Sequence, residues 1–210
     1  MLWLAGIPPE LSKKMSIGSK MEIIQTGIDG LVEIHPKVFP DSRGFFMEVY
    51  NRQRYIEAGI ANDFCQENLS QSTYGVSRGL HFQLNPYSQA KLATCFMGRV
   101  FDVAVDLRKG SPTFGQWRGC VLDSELRNQF LIPRGFAHGF SVLSEVAVFS
   151  YRCDNVYHAE SEGGIAYDDL DLAIDWRIPQ NERVVSEKDL NRPRFVDVVT
   201  NFVFEKFFTN

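Results

Sequence analysis

The stretch Phe101-Asp102-Val103-Ala104-Val105-Asp106-Leu107 alternates without interruption, with Phe, Val, Val and Leu on one side and Asp, Ala and Asp on the other. A period of two is the mark of a β-strand, because successive side chains leave a pleated backbone on opposite faces. Met97-Gly98-Arg99 before it reads as a tight turn, and Gly110-Ser111-Pro112 after it as another. A chain organised around such a strand needs partners to bury its apolar face, and the remaining sequence supplies them.

Glu22 to His35 reads as strand, turn, strand, broken at Gly27, Asp29 and Gly30. Pro36 and Pro40 keep the next segment off any central strand. Gly44 opens an aromatic strand running to Tyr50, with Phe46, Glu48 and Tyr50 on a shared face. Asn51 to Gly59 carries a short helical signal, with Asn51 as cap and Gly59 as stop. Further strands are expected around Tyr74–Gln83, Lys91–Phe96, Phe114–Leu122, Asn128–Ile132 and Val146–Cys153, the last with Ala147, Phe149, Tyr151 and Cys153 on one face. Pro133 to Phe140 reads as a loop returning to strand, and Ser186-Glu187-Lys188-Asp189 as a helix start. Apolar residues at 195, 198, 199, 202 and 207 have a helical spacing, which predicts a C-terminal helix packed on the domain or on a second subunit. Many short strands, turns every 8–15 residues and little helix predict an all-β sandwich or barrel with a few short peripheral helices.

At 210 residues the chain is one domain with a core large enough to need no staple. Residues 1–20 read as a loose extension, with Met15 and Met21 as alternative starts; the domain is expected over 21–197 and the tail over 198–210. The 17 phenylalanines suit sheets and ring-lined pockets. A net charge of −4 argues against a nucleic-acid binder, though two or three placed cations would suffice for a nucleotide-sized anion. Cys65, Cys95, Cys120 and Cys153 lack C-x-x-C spacing and read as buried free thiols in a reducing cytoplasm. No apolar run approaches the roughly 20 residues of a membrane span. The N-terminus has no cationic leader and breaks at Pro8-Pro9, a poor signal peptide.

Two spacings carry chemistry. Gly75 is followed after five residues by His81, and Pro133-x-Gly135-x-x-His138 follows later. Both resemble the two cupin motifs, which implies a jelly-roll fold. Metal-binding cupins add a second histidine and a glutamate to these. Here Gln83 stands two residues after His81, and the next stretch offers Lys91 in place of a carboxylate. A cation among the ligands works against a bound divalent metal, so no metal is expected.

A longer ordered set is more specific. It comprises Phe-Pro-Asp-Ser-Arg43-Gly-Phe-Phe-Met-Glu48, Gln66-Glu-Asn68, Arg78-Gly-Leu-His81-Phe-Gln, Lys91-Leu, Gly-Arg-Val-Phe-Asp-Val-Ala-Val-Asp-Leu-Arg108, Ser111-Pro-Thr-Phe-Gly, Pro133-Arg-Gly-Phe-Ala-His138-Gly-Phe, Tyr151 and Ser186-Glu-Lys-Asp189. Together these resemble the dTDP-4-dehydrorhamnose 3,5-epimerase family over roughly residues 21–197. The resemblance implies inversion of the two carbons flanking the C4 ketone of dTDP-4-dehydro-6-deoxy-D-glucose, in dTDP-L-rhamnose biosynthesis, with no cofactor. It implies a dTDP-sugar substrate and a homodimer, with some nucleotide contacts reaching across from the partner subunit.

It also implies roles. His81 is the base, Asp189 its carboxylate partner, Tyr151 the acid and Lys91 the oxyanion partner. Arg43 and Arg78 bind the diphosphate, with Phe46, Glu48, Gln66, Asn68, His138, Glu162 and Lys188 as further substrate contacts. From the residues alone, each has a plainer reading. His81 and His138 are then hydrogen-bonded structural histidines, Tyr151 a core aromatic, Lys91 a solvated strand-end lysine, and Asp189 a helix-start residue. Two other functions stay open: an epimerase of one carbon only, or a jelly roll that binds a nucleotide sugar without catalysis.

Overall fold

A computed structural model of the chain describes residues 21–205. The expected extension over 1–20 and the last five residues lie outside these. Two six-stranded sheets, antiparallel except for one parallel edge pairing, face each other. The first has the order β1 (Glu22–Gln25), β2 (Val32–His35), β10 (Gln129–Ile132), β7 (Lys91–Met97), β12 (Val146–Cys153), β5 (Gln66–Thr73). The second has the order β13 (Glu162–Gly164), β6 (Val76–Gln83), β11 (Phe136–Val142), β8 (Arg99–Asp106), β9 (Trp117–Asp123), with β14 (Val184–Val185) parallel to β6. A separate ribbon pairs β3 (Val38–Asp41) with β4 (Gly44–Met47). The helices are short: α1 (Arg52–Glu57), whose N-terminal amide of Arg54 donates to the Asn51 side chain, and α2 (Glu187–Leu190). This is the all-β, cupin-like jelly roll that the motifs implied.

Strand alternation sorts the core. On β8, Phe101, Val103 and Val105 leave the sandwich and pack with Leu80, Phe82 and Trp176 beneath the 165–178 segment. Val100 and Ala104 enter it and meet Ala93, Phe130, Phe140 and Phe149 from both sheets. Outside the first sheet, Tyr55 of α1 covers Val32, Ile34, Leu92 and Leu131. Both faces of β8 are therefore buried, and Asp102 and Asp106 have no exposed surface at all. Asp106 closes the following turn by accepting from Arg108, Ser111 and Thr113.

Three expectations need correction. Cys65, expected among the buried thiols, is exposed, whereas Cys95, Cys120 and Cys153 are buried. The aromatic strand stops at Met47, so Phe46, Glu48 and Tyr50 do not share a strand face. Phe46 is 70% exposed on the ribbon, whereas Tyr50 turns back to pack on Tyr55 and Phe64. The C-terminal helix does not form over 195–205. A 3-10 turn at Phe195–Asp197 leads into an extended strap in which the amide of Lys109 donates to the Phe202 carbonyl and that of Phe204 to the Lys109 carbonyl. Its apolar residues use tertiary partners instead: Phe202 meets the Phe82 ring edge-on at 5.7 Å, and Phe204 lies 5.0 Å from the Arg108 guanidinium.

Candidate active site

A cavity of about 590 Å³ opens between the two sheets. Strand periodicity aims side chains into it. His81 on β6 lies between Leu80 and Phe82, which face away into the outer core, so the imidazole points inward. His138 on β11 is its cross-strand register partner. From the opposite sheet come Lys91 at the start of β7 and Tyr151 on β12.

The chain brings Asp189 to His81 from 108 residues away. β14 lies parallel to the first half of β6 and delivers α2 beside it. The Ser186 side chain caps α2 by accepting from the Asp189 amide. The result is a 2.5 Å contact between Asp189 Oδ1 and His81 Nε2, with Oδ2 accepting from the Gly79 amide at 3.4 Å. Gly79 has φ +119, and a Cβ there would lie 2.5 Å from the Gly139 backbone, so only glycine permits this approach of β6 to β11. Burial pushes the Asp189 carboxyl up, but the hydrogen bond from His81, its charge, and the Gly79 and Ser186 donors outweigh this and hold it below the ordinary carboxylate range. With Nε2 held by a carboxylate, Nδ1 is the ring nitrogen left to exchange a proton.

A second dyad lies deeper. His138 Nε2 contacts both carboxylate oxygens of Asp102, at 2.9 and 3.1 Å, and its Nδ1 lies 3.4 Å from Lys91 Nζ. Burial depresses His138, and Asp102 only partly restores it, so the ring is neutral at neutral pH. Burial also raises the Asp102 carboxyl, opposed by His138 and Lys91; in its ionised form Asp102 cannot donate, so Nε2 then carries the proton and Nδ1 accepts from Lys91. Burial also lowers Lys91, opposed by the charges of Asp102 and Glu162. Burial raises Tyr151 above the ordinary phenol value, so its proton is retained at neutral pH. Its ring meets His138 at 72°, centroids 6.0 Å apart, and Lys91 Nζ lies 5.3 Å from the same ring.

The rim is charged. Arg78 contacts Ser72 Oγ at 3.2 Å, and Asn68 and Glu162 line the same opening. Glu162 gathers Lys188 at 2.6 Å, the Tyr157 hydroxyl at 2.8 Å and Arg192. Burial raises the Glu162 carboxyl, but these donors together hold it down at about 2.

Nine of the thirteen residues singled out from sequence line this cavity: His81, Lys91, Tyr151, Asp189, Asn68, Arg78, His138, Glu162 and Lys188. Four do not. Gln66 donates to Asn68 and accepts from the Tyr157 amide. Arg43 pairs with Asp41 on the ribbon, Phe46 is exposed beside it, and Glu48 pairs with Arg54. Two residues escaped the sequence reading. Asp102 lay on the polar side of the alternation, where an aspartate reads as solvated; its pairing with His138 needs the register of β8 on β11. Tyr157, which lines the cavity, stands in an irregular segment with no periodic signal.

The donor set does not suit a divalent metal. Gln83 occupies the place of a ligating histidine with its amide engaged by backbone groups, and Lys91 brings a cation where a carboxylate ligand would be. What the cavity offers is proton transfer: a carboxylate-paired imidazole on one sheet, a protonated phenol on the other, and a buried lysine between neutral rings.

A family profile described as dTDP-4-dehydrorhamnose 3,5-epimerase matches residues 25–197. The dTDP-4-dehydrorhamnose 3,5-epimerase of Shigella flexneri is 50% identical over 178 residues, which cover 84% of this chain and 97% of the relative. The crystal structure of dTDP-4-dehydrorhamnose 3,5-epimerase from Elizabethkingia anophelis NUHP1 superposes with a TM-score of 0.81 at 52% identity, covering 84% of this chain and 97% of its own. That of dTDP-6-deoxy-D-glucose-3,5-epimerase from Legionella pneumophila Philadelphia 1, in complex with dTDP-4-keto-L-rhamnose, gives 0.82 at 49% identity, covering 85% and 95%. The chain with this cavity therefore belongs to the dTDP-4-dehydrorhamnose 3,5-epimerase family.

Proposed function

We propose that the chain inverts C3 and C5 of dTDP-4-dehydro-6-deoxy-D-glucose to give dTDP-4-dehydro-L-rhamnose, with His81 as base and Tyr151 as acid. The observation that carries this assignment is the division of the cavity: the His81–Asp189 pair comes from one sheet, and the Tyr151 phenol from the other. Inversion needs a proton taken from one face of a carbon and another delivered to the opposite face. A hydrogen α to the C4 ketone leaves to His81 Nδ1, and the electron pair moves into the enolate. Tyr151 then returns a proton to the other face and recovers one from solvent, while His81 releases its own. Nothing is oxidised or reduced, and the sequence repeats at the second carbon.

Lys91, oriented by His138 Nδ1, supports the charge that develops on the C4 oxygen. The ammonium already sits in a desolvated site, so no solvent reorganisation is needed as the enolate forms. Asp189 stabilises the imidazolium that His81 becomes. Arg78, Lys188 and Asn68 at the rim suit the diphosphate and nucleoside, where a planar guanidinium can fork onto phosphate oxygens.

The ribbon supports a homodimer. Arg43, Phe46 and Glu48 lie outside their own cavity, and Phe39, Phe45 and Phe46 are 43%, 53% and 70% exposed on it. In the dimer, one protomer's ribbon brings these residues to its partner's cavity. Among the described residues no helix is long and apolar enough to cross a membrane, and the four cysteines are free, which suits a cytoplasmic enzyme.

Deuterium wash-in tests the reading. Turnover in D₂O is expected to label both C3 and C5. Label at one carbon alone means a single-carbon epimerase, and no label with intact dTDP binding means a non-catalytic jelly roll. His81→Ala should lose exchange at both carbons by at least about 100-fold while keeping dTDP affinity. Tyr151→Phe should impair completed inversion more than the first exchange.

A further inference from the structure

We propose that Gln83, with Gln66 opposite it, is a positioning residue that fixes Tyr157 as a rigid wall of the substrate site. Gln83 shares the inward face of β6 with His81, at the position where a metal-binding cupin carries its second histidine. It is 5% exposed, and its amide is fully engaged. Nε2 donates to the carbonyls of Tyr87 at 2.8 Å and Val156 at 3.3 Å, and Oε1 accepts from the His158 amide at 2.6 Å. Gln66 Oε1 accepts from the amide between them, that of Tyr157, at 3.0 Å.

Three consecutive residues, 156 to 158, thus have their backbone held by glutamine side chains, one from each sheet. The segment crosses from β12 in the first sheet to β13 in the second, where no strand ladder can orient it. The His158 ring adds a parallel stack on Tyr87, centroids 3.9 Å apart. Tyr157 itself remains 54% exposed and lines the cavity, with its hydroxyl on Glu162. A side chain this open keeps one direction only if its backbone is held, and a glutamine amide satisfies two carbonyls and an amide at once. Gln83 also lines the cavity, but with its amide taken up by the backbone of 87, 156 and 158 it acts on substrate binding through Tyr157, while the proton-transfer groups stand on other supports.

The inference rests on the dTDP-sugar reading above, and calorimetric binding of dTDP tests it without turnover; labelling by the wild-type enzyme in D₂O judges that reading separately. Gln83→Met keeps the volume and removes the hydrogen bonds. It should weaken dTDP binding and raise KM by about tenfold, with kcat changed by less than about twofold. In a Tyr157→Ala background the same substitution should add less than about twofold, because its route of action is already gone. Equal factors in both backgrounds, or unchanged dTDP affinity, would overturn the proposal.

Gln83→Glu covers the case in which the methionine variant does not fold. Its carboxylate faces the Tyr87 and Val156 carbonyls, so dTDP affinity relative to wild type should recover as pH falls and the group gains a donor proton. A defect independent of pH counts against the clamp.

Discussion

Asp102 does not itself line the cavity, yet it sets the state of two groups that do. Its carboxylate selects the His138 tautomer, which turns a lone pair toward Lys91, and its charge favours the Lys91 ammonium. Asp102→Asn still accepts from His138 Nε2 but removes that charge. Lys91, already lowered by burial, then falls further, so the ammonium is lost at a lower pH. The basic limb of the kcat profile should move acidward, and kcat at pH 8 should fall by about 10- to 100-fold. A profile lowered in height but unmoved along the pH axis would mean that Asp102 serves only packing. The contrast with His81 is one of depth: its side chain is 34% exposed, as the proposed base needs to be to trade protons with solvent, while that of His138 is 5% exposed.

Elements matter here through the edges they cover. β6 carries Arg78, His81 and Gln83, and every neighbour of β6 contributes to the site: β11 brings His138, β13 brings Glu162, and β14 leads to Asp189. Behind β6 lies the C-terminal strap. Phe202 is buried on Phe82, and Asn201 exchanges hydrogen bonds with Asn85 just beyond the strand. The strap lies outside the family match, which ends at 197. Phe202→Ala should cost about 3 kcal/mol, a fall in Tm of roughly 6–12 °C for a domain of this size. A Tm within about 2 °C of wild type would show the strap to be peripheral. The helical spacing of its apolar residues misled because spacing reports which side chains want burial, whereas Phe202 and Phe204 find theirs on Phe82 and Arg108, 120 and 96 residues away in sequence.

At the scale of the whole molecule, the ribbon and the cavity belong to different protomers in the proposed dimer, and this has a genetic consequence. Arg43→Ala alone should raise KM, and His81→Ala alone should be inactive. Co-expressed, they form heterodimers in which one of the two sites combines an intact cavity with an intact ribbon. A fraction of the activity should then show the wild-type KM. If the mixture shows only the raised KM of Arg43→Ala, the ribbon acts within its own chain.

The sequence by itself determined the architecture, because its signals are local. Period-two alternation from Phe101 to Leu107 and glycine-marked turns at Gly98 and Gly110 depend on neighbours a few residues apart, and the strands stand where these place them. The ordered motifs also named nine of the residues that line one cavity. Tertiary structure decided the electrostatics. Lys91 is a strand-end lysine in sequence and a desolvated cation in the fold, since its surroundings come from β8, β11 and β12. Asp102 reads as a solvated face of β8 until a second sheet covers that face, and Asp189 becomes the partner of His81 only when β14 is laid along β6. Burial and charge pairing are properties of surfaces brought together from distant parts of the chain, so no window of residues contains them.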